Sequence, residues 1–232
     1  MNLVLVCCMF ERPHHQRIHR FLQSLNSDLL TSTACYFGGG TAIVLELGEY
    51  RESVDIDFLC ASADGYRYLR NAVNENSLGE LLTQPLALVR QVRTDRYGIR
   101  TFCMVDGVPI KFEIVREDRI ELSGTSSATL PVMALSRIDM YAEKLLANTD
   151  RWADRSVNSR DIIDLAMMIH HWGSIPDQAW EKVHRAYGAS ADRAYTQAVQ
   201  AICDEDYLGR CLEKMSINSQ LMPTIMGAIQ GA

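Results

Sequence analysis

The chain has 232 residues, 47% of them hydrophobic, and a formal net charge of −6. That apolar share is ample for a buried core in one large domain or two small ones, and the acidic balance argues against a protein coated in basic surface for nucleic acid. The apolar run Leu3 to Phe10 is too short to span a bilayer and lacks a basic region before it and a small-residue cleavage site after it, so a soluble protein of the cytoplasm, with no membrane partner, is expected.

Leu3 to Met9 reads as a buried strand or the start of a helix, and length alone does not decide which. Arg12 to Leu25 carries Ile18, Phe21, Leu22 and Leu25 at helical spacing, which predicts an amphipathic helix packed on a sheet. Leu29 to Phe37 is the expected first strand. It runs into the glycines Gly38 to Gly40, after which Thr41 is expected to cap a short helix, Ala42 to Leu47, that stops at Gly48. Val54 to Leu59 alternates carboxylate and apolar residue. On a strand this puts Asp55 and Asp57 on one face and Val54, Ile56 and Phe58 on the other.

Further on, Tyr66 to Val73 and Leu78 to Leu82 read as helical, and Ile99 to Val105, Asp106-Gly107 and Val108 to Val115 form a hairpin signal. In the second arm Lys111, Glu113 and Val115 share one face and Ile110, Phe112 and Ile114 the other. Ser123 to Thr129 reads as a loop closed by Pro131, and from Ser136 the pattern is helical. The expected division is therefore an α/β part over residues 1–130 and a helical part over 131–232. Pro176 to Tyr187, Ala189 to Asp204 and Tyr207 to Met215 are the later helices.

Seven cysteines, Cys7, Cys8, Cys35, Cys60, Cys103, Cys203 and Cys211, form no C-x-x-C pair and sit mostly in apolar surroundings, so reduced buried thiols are expected and a zinc site is not. The adjacent pairs His14-His15 and His170-His171 point about 100° apart on a helix and do not share a ligand face. Arginines cluster at Arg90, Arg93, Arg96 and Arg100 and at Arg151, Arg155 and Arg160, either as solvated faces or as a local track for phosphates.

Chemistry concentrates in Tyr36 to Leu59. Glycines remove the side chains that keep a phosphate from backbone amides, and a helix N-terminus adds partial positive charge. D-x-D alone reads as a solvated edge strand. Preceded by GGGT, it describes a site for a metal-bound nucleoside triphosphate, with Asp55 and Asp57 as hard oxygen ligands for Mg²⁺. Glu113 is an acid on an apolar strand, there either to meet a cation or to pair with Lys111.

The string GGGTAIVLELGEYRESVDIDF resembles the first motif of the DNA polymerase β nucleotidyltransferase superfamily, and most closely its abortive-infection toxin branch, the AbiEii/AbiGii family. K-L-x-A at Lys144 is similar to the family's third motif. R-D-x-x-D-L, with Arg160, Asp161 and Asp164, is similar to the fourth, so the resemblance runs over about Tyr36 to Met168. It implies an α+β fold: a polymerase-β-like nucleotidyltransferase domain of mixed sheet and helices, followed by a C-terminal helical bundle. It also assigns Glu113 as the third carboxylate of a two-metal site and brings Lys144 to the nucleotide phosphates. Without the resemblance, Lys144 is a snorkelling surface lysine and Asp161 an acid in a first helical turn, capped by Asn158 or Ser159.

The expected reaction is nucleotidyl transfer from a nucleoside triphosphate. Asp55, Asp57 and Glu113 would hold two Mg²⁺ ions. Gly39, Gly40 and Thr41, through amides and the threonine hydroxyl, would bind the β and γ phosphates. Lys144 would neutralise developing charge, and Asp161 would orient Lys144 or act as a base. The resemblance implies a toxin of a toxin–antitoxin system, with a cognate antitoxin and RNA, tRNA in some members, as acceptor. A small-molecule acceptor of the antibiotic-modifying kind and a non-catalytic nucleotide-binding module are the alternatives. An RNA acceptor predicts that Arg93, Arg96, Arg151 and Arg155 line a groove leading to Asp57.

Overall fold

The structure, a computed structural model, describes residues 9–231; the apolar run Leu3 to Met9, all but its last residue, and Cys7 and Cys8 lie outside that range. One mixed sheet of seven strands organises the N-terminal half. Its strands are β1 (Cys35–Gly38), β2 (Ile56–Cys60), β3 (Leu88–Thr94), β4 (Gly98–Val105), β5 (Val108–Arg116), β6 (Gly124–Thr125) and β7 (Ala134–Leu135), in the order β3-β4-β5-β2-β1-β7-β6. β2 is antiparallel to β1 and parallel to β5, with Asp57 opposite Glu113 in register. The sheet thus runs four residues past Pro131, and the helical run begins at Arg137.

The hairpin forms as its chemistry dictates. Asp106 and Gly107 both take positive φ, 49° and 76°, which twists the turn to match its strands. On β5, Ile110, Phe112 and Ile114 are fully buried, and Phe112 lies 5.2 Å from Phe21 and 6.0 Å from Phe58, ring centre to ring centre. Phe21 comes from α1 (Pro13–Gln23), which packs its Ile18, Phe21 and Leu22 face onto the sheet. Burial of that inner face forces Lys111 and Glu113 to the other side of β5, where the site lies.

Three local expectations fail for identifiable reasons. Ser27–Ser32 is a helix, α2, because the Asn26 side chain accepts from the Leu29 amide and starts a turn before the apolar run can extend. Val54 is 49% exposed and not part of the inner face, because β2 begins only at Ile56 and the chain before it is a loop. The polar stretch after Ser123 holds β6, a two-residue strand too short to show a period.

After α3 (Gly39–Glu46) and α4 (Ala63–Ala72), six helices make up the remainder: α5 (Arg137–Arg151), α6 (Arg160–Trp172), α7 (Asp177–Tyr187), α8 (Ser190–Ile202), α9 (Glu205–Lys214) and α10 (Met222–Gln230). α5 packs against α6, α7 and α8, and α3 touches both α5 and α6, so one hydrophobic core runs from the sheet into the helices. That contact carries the glycine turn at the start of α3 to the helices bearing Lys144 and Asp161. No helix among the described residues is long and apolar enough to cross a membrane. Cys35, Cys60, Cys103, Cys203 and Cys211 are free thiols, all buried except Cys203.

Candidate active site

α3 starts three residues earlier than its sequence suggests, at Gly39, with Gly38 at the N-cap position and no side-chain cap. Gly39 has φ +67°, and a Cβ there would stand 2.9 Å from the Asp57 carboxylate oxygen. A Cβ on Gly40 would strike the Arg51 guanidinium. The glycines are therefore needed twice, for the turn and for the close approach of two charged groups to its backbone. Thr41 is not the cap. It is fully buried, donates to the Asp55 carbonyl at 2.5 Å and shares a 2.8 Å hydrogen bond with Ser53. Its hydroxyl is committed to the loop before Asp55, which leaves the amides at the start of α3 as the donors this turn can offer an anion.

Asp55, Asp57 and Glu113 line one cavity of about 580 Å³ together with Gly39, Gly40 and Lys144. Burial pushes the Asp57 carboxyl up to about 6; Lys111 and Lys144 oppose the shift, and the like charges of Asp55 and Glu113 reinforce it. No side chain or amide among the described residues donates to Asp57. Glu113 is differently placed: Lys111 lies 2.8 Å from one of its oxygens and Arg100 2.5 Å from the other. Burial alone would raise its pKa, but these two cations hold it below the usual carboxylate value.

Among the described residues no three acids converge closely enough to hold a metal ion as they stand. The donor set still suits one. Two acids separated by one residue offer hard oxygens, and Asp57 is a crowded carboxylate with no proton donor. Both readings of Glu113 thus have a physical basis: it pairs with Lys111, and it stands beside Asp57 across the β2–β5 ladder.

Lys144, on α5, is buried with 5% exposure and reaches two carboxylates of α6, Asp161 at 3.0 Å and Asp164 at 2.6 Å. An ammonium has three donors, so one remains for a ligand in the cavity that Lys144 lines. Asp161 also accepts twice from Arg151, at 2.6 and 2.8 Å. Burial would raise its carboxyl, but Lys144 and Arg151 hold it below the ordinary range. A carboxylate so occupied is a poor proton acceptor, so of the two roles expected of Asp161 the geometry favours holding Lys144. Ser159 occupies the N-cap position of α6 but its side chain makes no capping hydrogen bond, and Asn158 and Ser159 both take left-handed φ, 53° and 50°.

Asp164 is fully buried and accepts from the Tyr50 hydroxyl at 2.5 Å, from both arms of Arg51 at 2.8 and 2.9 Å, and from Lys144. Burial opposes its ionisation, yet these cations hold its pKa far below the ordinary value. Sequence reading passed over Arg51 and Tyr50, which stand in the loop of GEYRES just before Asp55. Beside them His15 donates from Nδ1 to Glu49 at 2.7 Å and accepts the Ser53 amide on Nε2 at 3.1 Å, which fixes the other end of that loop. Their only signal was position, since a loop arginine reads as solvated.

The structure brings Asp55, Asp57, Glu113, Lys144, Gly39, Gly40 and Thr41 to one cavity and sets Asp161 behind Lys144. The expected arginine groove divides. Arg151 lines this cavity and Arg155 its neighbour, whereas Arg93 lies on β3, at the edge of the sheet, and Arg96 in the turn after it. Those two do not line the cavity, because β4 and β5 stand between β3 and Asp57.

Residues 20–218 match the model of a protein family described as nucleotidyl transferase AbiEii toxin, type IV TA system. Among solved structures, a candidate nucleotidyltransferase from Helicobacter pylori has a TM-score of 0.55 at 14% identity, covering 93% of this chain and 92% of its own. JHP933 from Helicobacter pylori has a TM-score of 0.53 at 14% identity, over 93% of this chain and 90% of its own. At such identity the likeness concerns the fold. No curated protein matches the chain.

Proposed function

Since the chain belongs to the AbiEii nucleotidyl transferase toxin family, we propose that it moves a nucleoside monophosphate from a nucleoside triphosphate to an RNA acceptor, as the toxin of a toxin–antitoxin pair. The observation that carries this reading is the single cavity lined by the glycine turn, Asp55, Asp57, Glu113 and Lys144. The acceptor hydroxyl oxygen attacks the α-phosphorus, the bond from that phosphorus to the oxygen bridging to the β-phosphate breaks, pyrophosphate leaves, and the hydroxyl proton passes to solvent.

The amides of Gly39, Gly40 and Thr41 hold the β and γ phosphates at the start of α3. Lys144, fixed by Asp161 and Asp164, directs its third donor at the charge that gathers on the leaving pyrophosphate. Asp55 and Asp57 would hold Mg²⁺, with Glu113 as the further ligand once it exchanges Arg100 and Lys111 for the metal. Two such ions would lower the pKa of the attacking hydroxyl and neutralise the phosphates. A cognate antitoxin belongs to this reading as the partner that restrains the activity.

The test is RNA-dependent pyrophosphate release from each nucleoside triphosphate in Mg²⁺, with the RNA resolved by length. One triphosphate should give pyrophosphate in step with lengthened RNA. Release that needs a small-molecule pool and leaves RNA unchanged would replace the RNA acceptor with a small one, and no release with either would leave a nucleotide-binding module.

A further inference from the structure

Next to the carboxylate cleft lies a second cavity, of about 540 Å³, lined by Arg155, Asn158, Asp204, Tyr207, Arg210 and Lys214 among others. Asn158 and Lys214 line both cavities, so the two are neighbours that share a wall. Tyr207, Arg210 and Lys214 recur at i, i+3 and i+7 on α9, which sets them in one row about 10 Å long. Arg155 lies over the Tyr207 ring, 4.3 Å from its centre, and Arg210 approaches at 5.9 Å. The Tyr207 hydroxyl is fixed at 2.8 Å by Ser159, the residue before α6.

The charge here is unbalanced. Of the other cations lining the cleft, Arg51 pairs with Asp164, Lys111 with Glu113 and Lys144 and Arg151 with Asp161, while Arg160, like the cations of the second cavity, has no carboxylate partner among the described residues. Among the described residues Arg155, Arg210 and Lys214 have no carboxylate partner. The one acid of the lining, Asp204, is used to start α9, accepting from the Tyr207 amide at 3.0 Å. Cations without counter-charge beside a catalytic cleft call for an anion, and a guanidinium seated over an aromatic ring leaves its other side to a further partner. Asn158 and Ser159, both left-handed, join this cavity to the helix that holds Lys144.

We propose that this second cavity is the acceptor subsite, holding the phosphate backbone and a terminal base of a single-stranded RNA end, whose free hydroxyl then enters the carboxylate cleft. A cavity of this size admits one strand and not a duplex, and an unpaired strand presents the bases that stack on Arg155. The assignment rests on the RNA-acceptor reading of the cleft.

The experiment measures equilibrium binding of a short 5′-labelled single-stranded RNA across a salt series, beside binding of a fluorescent nucleoside triphosphate, for the wild type, Arg155→Ala/Arg210→Ala and Arg155→Lys/Arg210→Lys. The alanine pair should weaken RNA binding about tenfold or more and flatten the salt slope by about 1.4, the share of two phosphates on a single strand, with triphosphate binding unchanged. The lysine pair should restore the slope but not the full affinity, since a lysine keeps the charge and loses the stack. Equal RNA binding in the wild type and the alanine pair would overturn the subsite, as would a wild type that binds an acidic peptide and no RNA. Failure of transfer with RNA binding still lost in the alanine pair would instead count against the chemistry assigned to the cleft.

Discussion

Arg51 and Asp164 meet in a two-pronged buried ion pair, Nε to Oδ1 at 2.8 Å and Nη2 to Oδ2 at 2.9 Å, across 113 residues of sequence. The same aspartate accepts from Lys144, so the loop before Asp55, α5 and α6 are joined at one carboxylate. Arg51 also packs against Gly40, which carries the link to the glycine turn.

Removing one partner of such a pair leaves a charge buried without compensation. Asp164→Ala is expected to destabilise the fold by about 3–5 kcal/mol, read as a lower urea midpoint. Arg51→Lys is expected to fall well short of wild type, because a lysine cannot supply both prongs. Wild-type stability in both variants would remove the pair from the account of the fold.

Lys144 and Asp161 should separate kinetically. Lys144→Ala removes the donor itself, and kcat is expected to fall about 10²–10³-fold. Asp161→Asn keeps the shape and leaves Asp164 to hold Lys144, so a smaller fall is expected, with no change in the pH at which activity rises. Loss of a basic limb from the pH–rate profile of Asp161→Asn would restore Asp161 as a base.

His15 gives the stability a pH dependence. Burial holds its pKa below 6.5, against the opposing pull of Glu49, so its neutral ring can accept the Ser53 amide. Between 6.5 and the lowered value the unfolded chain binds a proton that the folded chain does not. Stability from His15 is therefore present above 6.5 and lost as pH falls through that window. Urea midpoints taken across the window should decline towards acid in the wild type and decline less in His15→Gln. Parallel declines in the two proteins would place the acid sensitivity elsewhere.

Glu113 is held by Arg100 and Lys111, so these cations compete with any ion there. Arg100→Gln is expected to tighten binding of Mn²⁺ as a probe by several-fold, measured by calorimetry at fixed pH. Weaker binding in that variant would mean that Arg100 supports the ligand set.

What could be read beforehand follows the strength of local signals. The hairpin of β4 and β5 was legible because Asp106-Gly107 fits only a few turn conformations and a period of two assigns each side chain to a face. Asp57 and Glu113 were legible as strand acids, and their register became visible only with the parallel pairing of β2 and β5. Lys144 was legible through its motif, not through any local signal. Arg51 and Tyr50 were not, since their partner is 113 or 114 residues away. Thr41 misled because a threonine after glycines has the pattern of a cap, whereas tertiary contact with Asp55 claims its hydroxyl.

Every assignment above depends on nucleotide transfer taking place in the cleft at Asp55 and Asp57. The most direct measurement supplies RNA, Mg²⁺ and a triphosphate labelled at either the α or the γ phosphate to the wild type and to Asp55→Ala/Asp57→Ala. Label from the α position is expected in RNA with the wild type only, and label from the γ position in RNA with neither. Transfer of γ label would make the reaction phosphoryl transfer, and α label transferred equally by the double variant would place the chemistry outside this cleft.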